Sequence, residues 1–156
     1  MKTAFIGHRL VLQNDIYTKL YKITEQYIRN GCEYFTVGTH GEFDEIALRV
    51  LRNLKDKYNL TIEVVLTSLH KLKPLVSVDE VWGTENYFKY GDVNTIIYDI
   101  EEKHYKQRII SSNRQMLDTC DSVICYVDTD RKKSGANKAL GYAKKKGLKI
   151  TNIYSK

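Results

Sequence analysis

The chain has 156 residues, 42% of them hydrophobic and 28% charged, with a net charge of +6, the balance of one globular domain, 1–156, with a core of its own. No apolar run is long enough to span a bilayer, so no membrane partner is expected; Met1–Ile6 reads as a strand start with no leader pattern, and a cytoplasmic location is the default expectation. Cys32, Cys120 and Cys125 are too few and too widely spaced for a disulfide framework or a zinc site, and are expected as small buried hydrophobes.

The elements follow in order. Lys2–Ile6 is a short apolar strand, and Gly7-His8-Arg9 follows it as a strand-to-helix loop. Asn14 is the expected N-cap of a helix carrying Ile16, Leu20, Ile23 and Tyr27 at helical spacing, stopped at Asn30-Gly31. Glu33–Val37 is the second strand and Phe43–Lys57 the second helix, with Ile46, Ala47, Val50, Leu51 and Leu54 on one face. Thr61–Leu66 is the third strand. From Thr67 to Asn94 periodicity fails. This stretch holds the only proline, Pro74, and the only tryptophan, Trp82, and a segment so long without pattern is expected to cover a site. Thr95–Ile100 is the fourth strand, and Arg108–Thr119 a helix with Ile109, Ile110, Met116 and Leu117 inward. Ser122–Val127, nearly all apolar, is a central parallel strand. Gly135–Lys146 is a helix with Ala136, Ala139, Leu140 and Ala143 inward, and Lys149–Ile153 is the last strand. Lys144-Lys145-Lys146, the densest basic cluster, falls at a helix end, where cations complement the dipole. Alternating strands and helices imply an α/β fold: a three-layer α/β/α Rossmann-like sandwich with a mainly parallel sheet.

In such sheets ligands bind beyond the carboxyl ends of the strands, near the point where strand order reverses. The loops expected there carry the candidate ligand-binding residues: Gly7, His8 and Arg9; Gly38, Thr39, His40, Gly41, Phe43 and Asp44; Arg114; and Ser134, Gly135, Ala136 and Asn137. Glycines let a ligand approach the main chain, and the unpaired amides of a helix start favour an anion. Arginine offers a forked pair of donors to phosphate or carboxylate. A histidine can donate to a phosphate or move a proton, and Asp44 can accept from ribose hydroxyls. Each has a plain reading beside it: turn glycines, polar loop histidines, a first-turn helix acid at Asp44, and an Arg114–Asp118 pair at i, i+4.

Four of these motifs in register, Gly7-His8-Arg9, Gly38-x-x-Gly41-x-Phe43-Asp44 with Ala47, Asn113-Arg114-x-Met116-x-Asp118, and Ser134-Gly135-Ala136 with Ala139 and Tyr142-Ala143, resemble the YpsA-like branch of the SLOG superfamily, which also includes the DprA DNA-processing proteins and the LOG phosphoribohydrolases. The resemblance spans almost the whole chain and is weakest across 67–94. It implies a Rossmann-like fold that binds nucleotides or nucleotide-derived ligands at these loops, and relatives that self-associate, so a homodimer or higher homo-oligomer is expected. The LOG enzymes carry a glycine-rich PGGxGTxxE motif with a catalytic glutamate. The matching loop here, Ser134–Ala139, has one glycine and no glutamate in that place, which leans away from an enzyme.

Three functions follow as alternatives. The first is a sensor or sequestering module for a nucleotide-like molecule such as an ADP-ribose-type signal, with no cofactor required and with Trp82, Tyr87 and Tyr90 available to stack a base. The second is an enzyme acting on an N-glycosidic bond, with Asp44 stabilising the ribose cation and Arg114 holding phosphate. The third is single-stranded nucleic-acid binding, which the net charge permits.

Overall fold

In the computed structural model of the chain, residues 1–66, 90, 92–98 and 104–156 are described. Their elements are β1 (Lys2–Gly7), α1 (Ile16–Arg29), β2 (Tyr34–Val37), α2 (Glu42–Lys55), β3 (Thr61–Leu66), β4 (Asn94–Ile97), α3 (Tyr105–Asp118), β5 (Ser122–Tyr126), α4 (Gly135–Lys145) and β6 (Lys149–Asn152). The strands form one sheet in the order β4-β3-β2-β1-β5-β6, and every neighbouring pair is parallel. This is the α/β Rossmann-like arrangement that the alternation of elements implied. Strand order reverses at β1, which lies between β2 and β5. Most of the irregular stretch, with Pro74, Trp82 and Tyr87, lies outside the described residues, as do residues 99 and 100 of the expected fourth strand.

The period-two alternation of the strands divides the core in two. Phe5, Phe35, Val37, Ile62, Val64, Ile124 and Tyr126 point to one face and pack with Ile16 and Leu20 of α1 and Ala47, Val50, Leu51 and Leu54 of α2. Ala4, Ile6, Val65, Val123 and Cys125 point to the other and pack with Met116 and Leu117 of α3 and Ala139, Leu140 and Ala143 of α4. The strand β5 is buried along its whole length, as a central parallel strand must be. The three cysteines are free and buried.

Three differences from the sequence expectation have local causes. The α1 cap is Asp15 rather than Asn14: the Asp15 carbonyl accepts from the Lys19 amide at 3.0 Å, while its carboxylate pairs with Lys19 Nζ at 3.5 Å instead of capping an amide. The helix α3 begins at Tyr105, one turn earlier than apolar spacing suggested. And Asp118 does not pair with Arg114; Tyr142 Oη donates to it at 2.6 Å and Lys146 Nζ lies 2.9 Å from it.

The exit of β1 is the tightest junction. A side chain at Gly7 would place its Cβ 2.3 Å from the Phe43 ring, and that ring is fully buried and stacked on Tyr126 with centroids 5.9 Å apart. A glycine is therefore required at position 7 for α2 to seat against the sheet. Gly41, at φ +133°, lies so close to the Arg9 backbone that a Cβ would come within 2.5 Å of its Cα, and here both the angle and the contact exclude a side chain. The Glu42 amide then donates to the Arg9 carbonyl at 2.9 Å, and the Val11 amide to Glu42 Oε2 at 3.1 Å.

Gly7→Ala is expected to overpack this junction at a cost of about 1–3 kcal/mol. For a domain of this size that lowers the melting temperature by roughly 2–4 °C per kcal/mol. An unchanged melting curve would show that Phe43 does not occupy the place described.

Candidate functional site

Beyond the carboxyl ends of β1, β2 and β5 lies a crevice of about 740 Å³, within the range of roughly 300–1,000 Å³ that holds a small organic ligand. Of the residues expected from the sequence, it is lined by Gly7, His8, Arg9, Gly38, His40, Asp44, Ser134, Gly135 and Ala136. Three loops distant in sequence therefore do meet at one rim, as the topology of an open parallel sheet requires.

Five of the expected residues stand elsewhere. Phe43 is core, and Gly41 lies beneath Arg9. Thr39 Oγ1 donates to the Val65 carbonyl at 3.4 Å. Asn137 Nδ2 donates to the carbonyls of Thr129 and Arg131, both at 3.3 Å, so it shapes the loop before α4 without lining the crevice. Arg114 is outside the lining, its guanidinium 5.4 Å from the centre of the Tyr142 ring.

The crevice also has walls that residue spacing missed. Lys106, Ile109, Ile110 and Asn113 of α3 line it. Their i, i+3, i+4, i+7 spacing is that of a single helix face, but Ile109 and Ile110 are only half-buried, so a stripe that reads as core is in part an open apolar wall. Arg131, Lys133 and Lys138 line the side next to α4. Arg131 and Lys133 belong to the charged run Asp128–Lys133, and Lys138 lies on α4.

The two helix starts at this rim are not equivalent. Just before α2, Asp44 Oδ2 accepts from the His40 amide at 2.8 Å, and at its first residue the Glu42 amide is taken by the Arg9 carbonyl at 2.9 Å. Two of the N–H groups expected to be bare at the Gly38–Asp44 corner, those of His40 and Glu42, are therefore taken by a side-chain acid and a neighbouring carbonyl. At α4, Ser134 Oγ accepts from the Asn137 amide at 3.1 Å. That leaves the Gly135 and Ala136 amides, which have no partner within a helix, on the crevice wall. A Cβ at Gly135 would meet nothing within 4 Å. Unlike Gly7 and Gly41, this glycine is not demanded by the chain's own packing.

Arg9, Lys106, Arg131, Lys133 and Lys138 line the crevice, and Asp44 is the one carboxylate among its described lining residues. Burial pushes the Asp44 carboxyl up to about 6, against the lowering effect of the His40 amide and with Glu45 adding to the rise. Burial also lowers His8, with the Arg131 charge adding to the effect and Asp128 opposing it. Tyr105 Oη lies 3.3 Å from His40 Nδ1, so His40 faces the start of α3 across the mouth. Among the described residues no group of three or more His, Cys, Asp or Glu is placed to hold a metal ion. No helix among them is long and apolar enough to cross a membrane.

The fold and its rim define an open, doubly wound parallel-sheet domain with a cationic ligand crevice at the switch point. In structure the chain is similar to DNA processing protein A from Helicobacter pylori, solved in work on that protein's single-stranded DNA binding mode, with a TM-score of 0.63 and 20% sequence identity. The match covers 96% of this chain and 63% of the neighbour, so the chain spans under two thirds of the neighbour's length. The likeness is one of fold. No protein-family profile matches the chain, and no curated protein matches it.

A carboxyl whose folded value lies above its ordinary 3.8 favours folding while protonated, and that contribution is lost as pH rises through about 6. Asp44→Asn, which keeps an acceptor for the His40 amide, is therefore expected to raise the melting temperature by several degrees at pH 8 and by about half as much at pH 5, since the loss begins at 3.8 and is complete above about 6. A variant less stable than wild type at pH 8 would overturn this account of the Asp44 environment.

Proposed function

We propose that the crevice binds a nucleotide or nucleotide-derived small molecule, and that the protein acts as a sensor or sequestering module for it, in the manner of the YpsA-like branch. The observation that carries this reading is the polarity of the site. Gly135 and Ala136 amides, Arg131, Lys133 and Lys138 stand on one side, Ile109 and Ile110 form an apolar wall, and Asp44, the one carboxylate among the described lining residues, stands on the other side with Arg9 and Lys106. The carboxyl ends of β2 and β5 are separated by β1, which is two strand spacings, or about 10 Å. A ligand with phosphate at one end, a flat apolar body and hydrogen-bond donors at the other fits that order. An ADP-ribose-type molecule is one such ligand.

A carboxylate kept in a cationic crevice where its ionisation opposes folding is the kind of residue retained for a ligand rather than for stability. The N-glycosidic alternative would rest on Asp44 alone, since no second carboxylate is among the described lining residues.

A second reading is favoured by one observation. The cations do not stop at the crevice: Arg131 and Lys133 also line a shallower hollow with Lys132 and Asp130 on the outer side of the same loop. A chain of phosphates could follow them outward, as would suit the single-stranded DNA that the structural neighbour binds. Against it, a strand with a phosphate on every sugar that also crossed the crevice would set one of them beside Asp44.

Thermal shift against AMP, ADP, NAD and ADP-ribose separates the readings. At about 100 times its dissociation constant a cognate nucleotide adds roughly 2.7 kcal/mol, a rise of about 5–10 °C. Arg131→Ala or Lys133→Ala should weaken the response about tenfold or more in affinity, as expected for loss of a charge-assisted contact. If no nucleotide raises the melting temperature while single-stranded DNA binds with a steep salt dependence, the nucleotide reading gives way to the second one.

A further inference from the structure

We propose that His8 is a positioning residue for the anion side of the crevice: its neutral imidazole, by accepting the Asp128 amide, holds the Asp128–Ser134 loop in the arrangement that receives a phosphate. This rests on the binding reading above for its ligand, and on hydrogen bonds alone for its mechanism.

His8 is 6% exposed, and its Nε2 accepts from the Asp128 amide at 2.8 Å. A ring nitrogen that accepts carries no proton, so the neutral ring holds its proton on Nδ1. From that bond a relay of further bonds runs to the start of α4. The Asp128 carbonyl accepts from the Arg131 amide at 3.0 Å, and the Arg131 carbonyl from the Ser134 amide at 3.1 Å. Asp128 Oδ1 accepts from the Asp130 amide at 3.0 Å, and Asp128 Oδ2 from Tyr154 Oη at 3.2 Å. Ser134 in turn caps α4 through Asn137. The loop that bears Arg131 and Lys133 is thus tethered at its start by an imidazole nitrogen from the residue that follows β1, with the Tyr154 hydroxyl and the Asn137 side-chain amide as its other ties. Protonation would turn that nitrogen into a donor facing a donor and break the first link.

The groups that face His8 define the sign of the pH effect. Tyr126 of β5 packs edge-on against the ring at 6.0 Å. Asp128 and Arg131 of the loop act on its charge in opposite senses, and burial adds to the Arg131 side, so the neutral form is favoured. Across the crevice stand Arg9, His40, Asp44 and Lys106. As pH falls below the ordinary histidine value and through the lowered one, His8 gains a positive charge, while Asp44, pushed up to about 6, loses its negative one. On charge alone both changes draw an anion in more tightly. The latch requires the opposite: acid weakens binding because the cations lose their placement.

The test measures NAD affinity at pH 7.5 and 5.2, because the two phosphates of NAD keep their charge over that range. Wild type should bind more weakly at pH 5.2 than at pH 7.5, in proportion to the fraction of His8 that the NMR titration shows protonated. His8→Gln, whose amide oxygen can accept the Asp128 N–H at any pH, should bind as tightly at pH 5.2 as at 7.5, or more tightly. His8→Ala should bind weakly at both. In parallel, amide NMR of the free protein should show the Asp128–Ser134 resonances moving with His8 protonation in wild type and not in His8→Gln. Affinity that tightens toward acid in wild type as it does in His8→Gln would overturn the proposal. So would loop resonances that ignore the titration of His8. If NAD and the other nucleotides bind wild type at neither pH, the binding reading fails, and the NMR titration still decides the latch by itself.

Discussion

The close approach of β1 and α2 at Gly7 is the constraint on which the rest depends. A full phenylalanine ring occupies the place where a side chain on the last residue of β1 would stand. That one contact lets Phe43 reach both the strand and the Tyr126 ring on β5, so β1, α2 and β5 are drawn together at the switch point. Burying such a side chain is worth about 1.5–3 kcal/mol. Its geometric effect matters more here. With α2 pinned against the end of β1, the Arg9 backbone must pass over Gly41, and the floor of the crevice is built from main chain.

A second consequence is electrostatic. The strand β1 exits between two loops of opposite character. On the β2 side the first turn of α2 carries Glu42, Asp44 and Glu45. On the β5 side the first turn of α4 carries no acid, and the loop before it carries Arg131, Lys132 and Lys133. A buried polar group elsewhere makes the contrast plain. Glu63 on β3 is also enclosed, yet Lys2 Nζ lies 3.1 Å away and Tyr34 and Thr36 donate to it. That carboxylate is compensated within the protein. Asp44 has the His40 amide and is otherwise turned to the crevice wall.

The order of elements was legible because strands and helices here obey their periods. Val, Ile and Phe alternate faces along the strands, and α1 and α2 each keep an apolar stripe of their own. The convergence of Gly7–Arg9, Gly38–Asp44 and Ser134–Ala136 was legible from topology, since parallel strands bring the loops at their carboxyl ends to one side. What the sequence concealed was which role each residue takes once there. Phe43 sits in a ligand-loop motif, and nothing local says that its ring fills the void beside Gly7, 36 positions earlier. Ile109 and Ile110 share helical spacing with Met116 and Leu117, but α3 overhangs the end of the sheet, so the same stripe is core at one end and crevice wall at the other. Arg114 and Asp118 satisfy the i, i+4 rule, yet Tyr142 and Lys146 from α4 reach Asp118 instead. Tertiary neighbours decided each of these cases.

The helices α2 and α4 both start at this rim, and each brings the same partial positive charge to its first turn. An anion could seat at either if the dipole alone decided. At α2 the chain supplies an Arg9 carbonyl for the Glu42 amide and three first-turn acids that oppose any further negative charge. At α4 it supplies a serine cap for one amide, leaves the two before it open, and keeps position 135 without a side chain although no internal contact requires that. The fold thus offers two corners, and the residues around them leave one for a guest. On the proposed reading a ligand's negative end would face β5, and whatever lies about 10 Å further on would have to face a carboxylate.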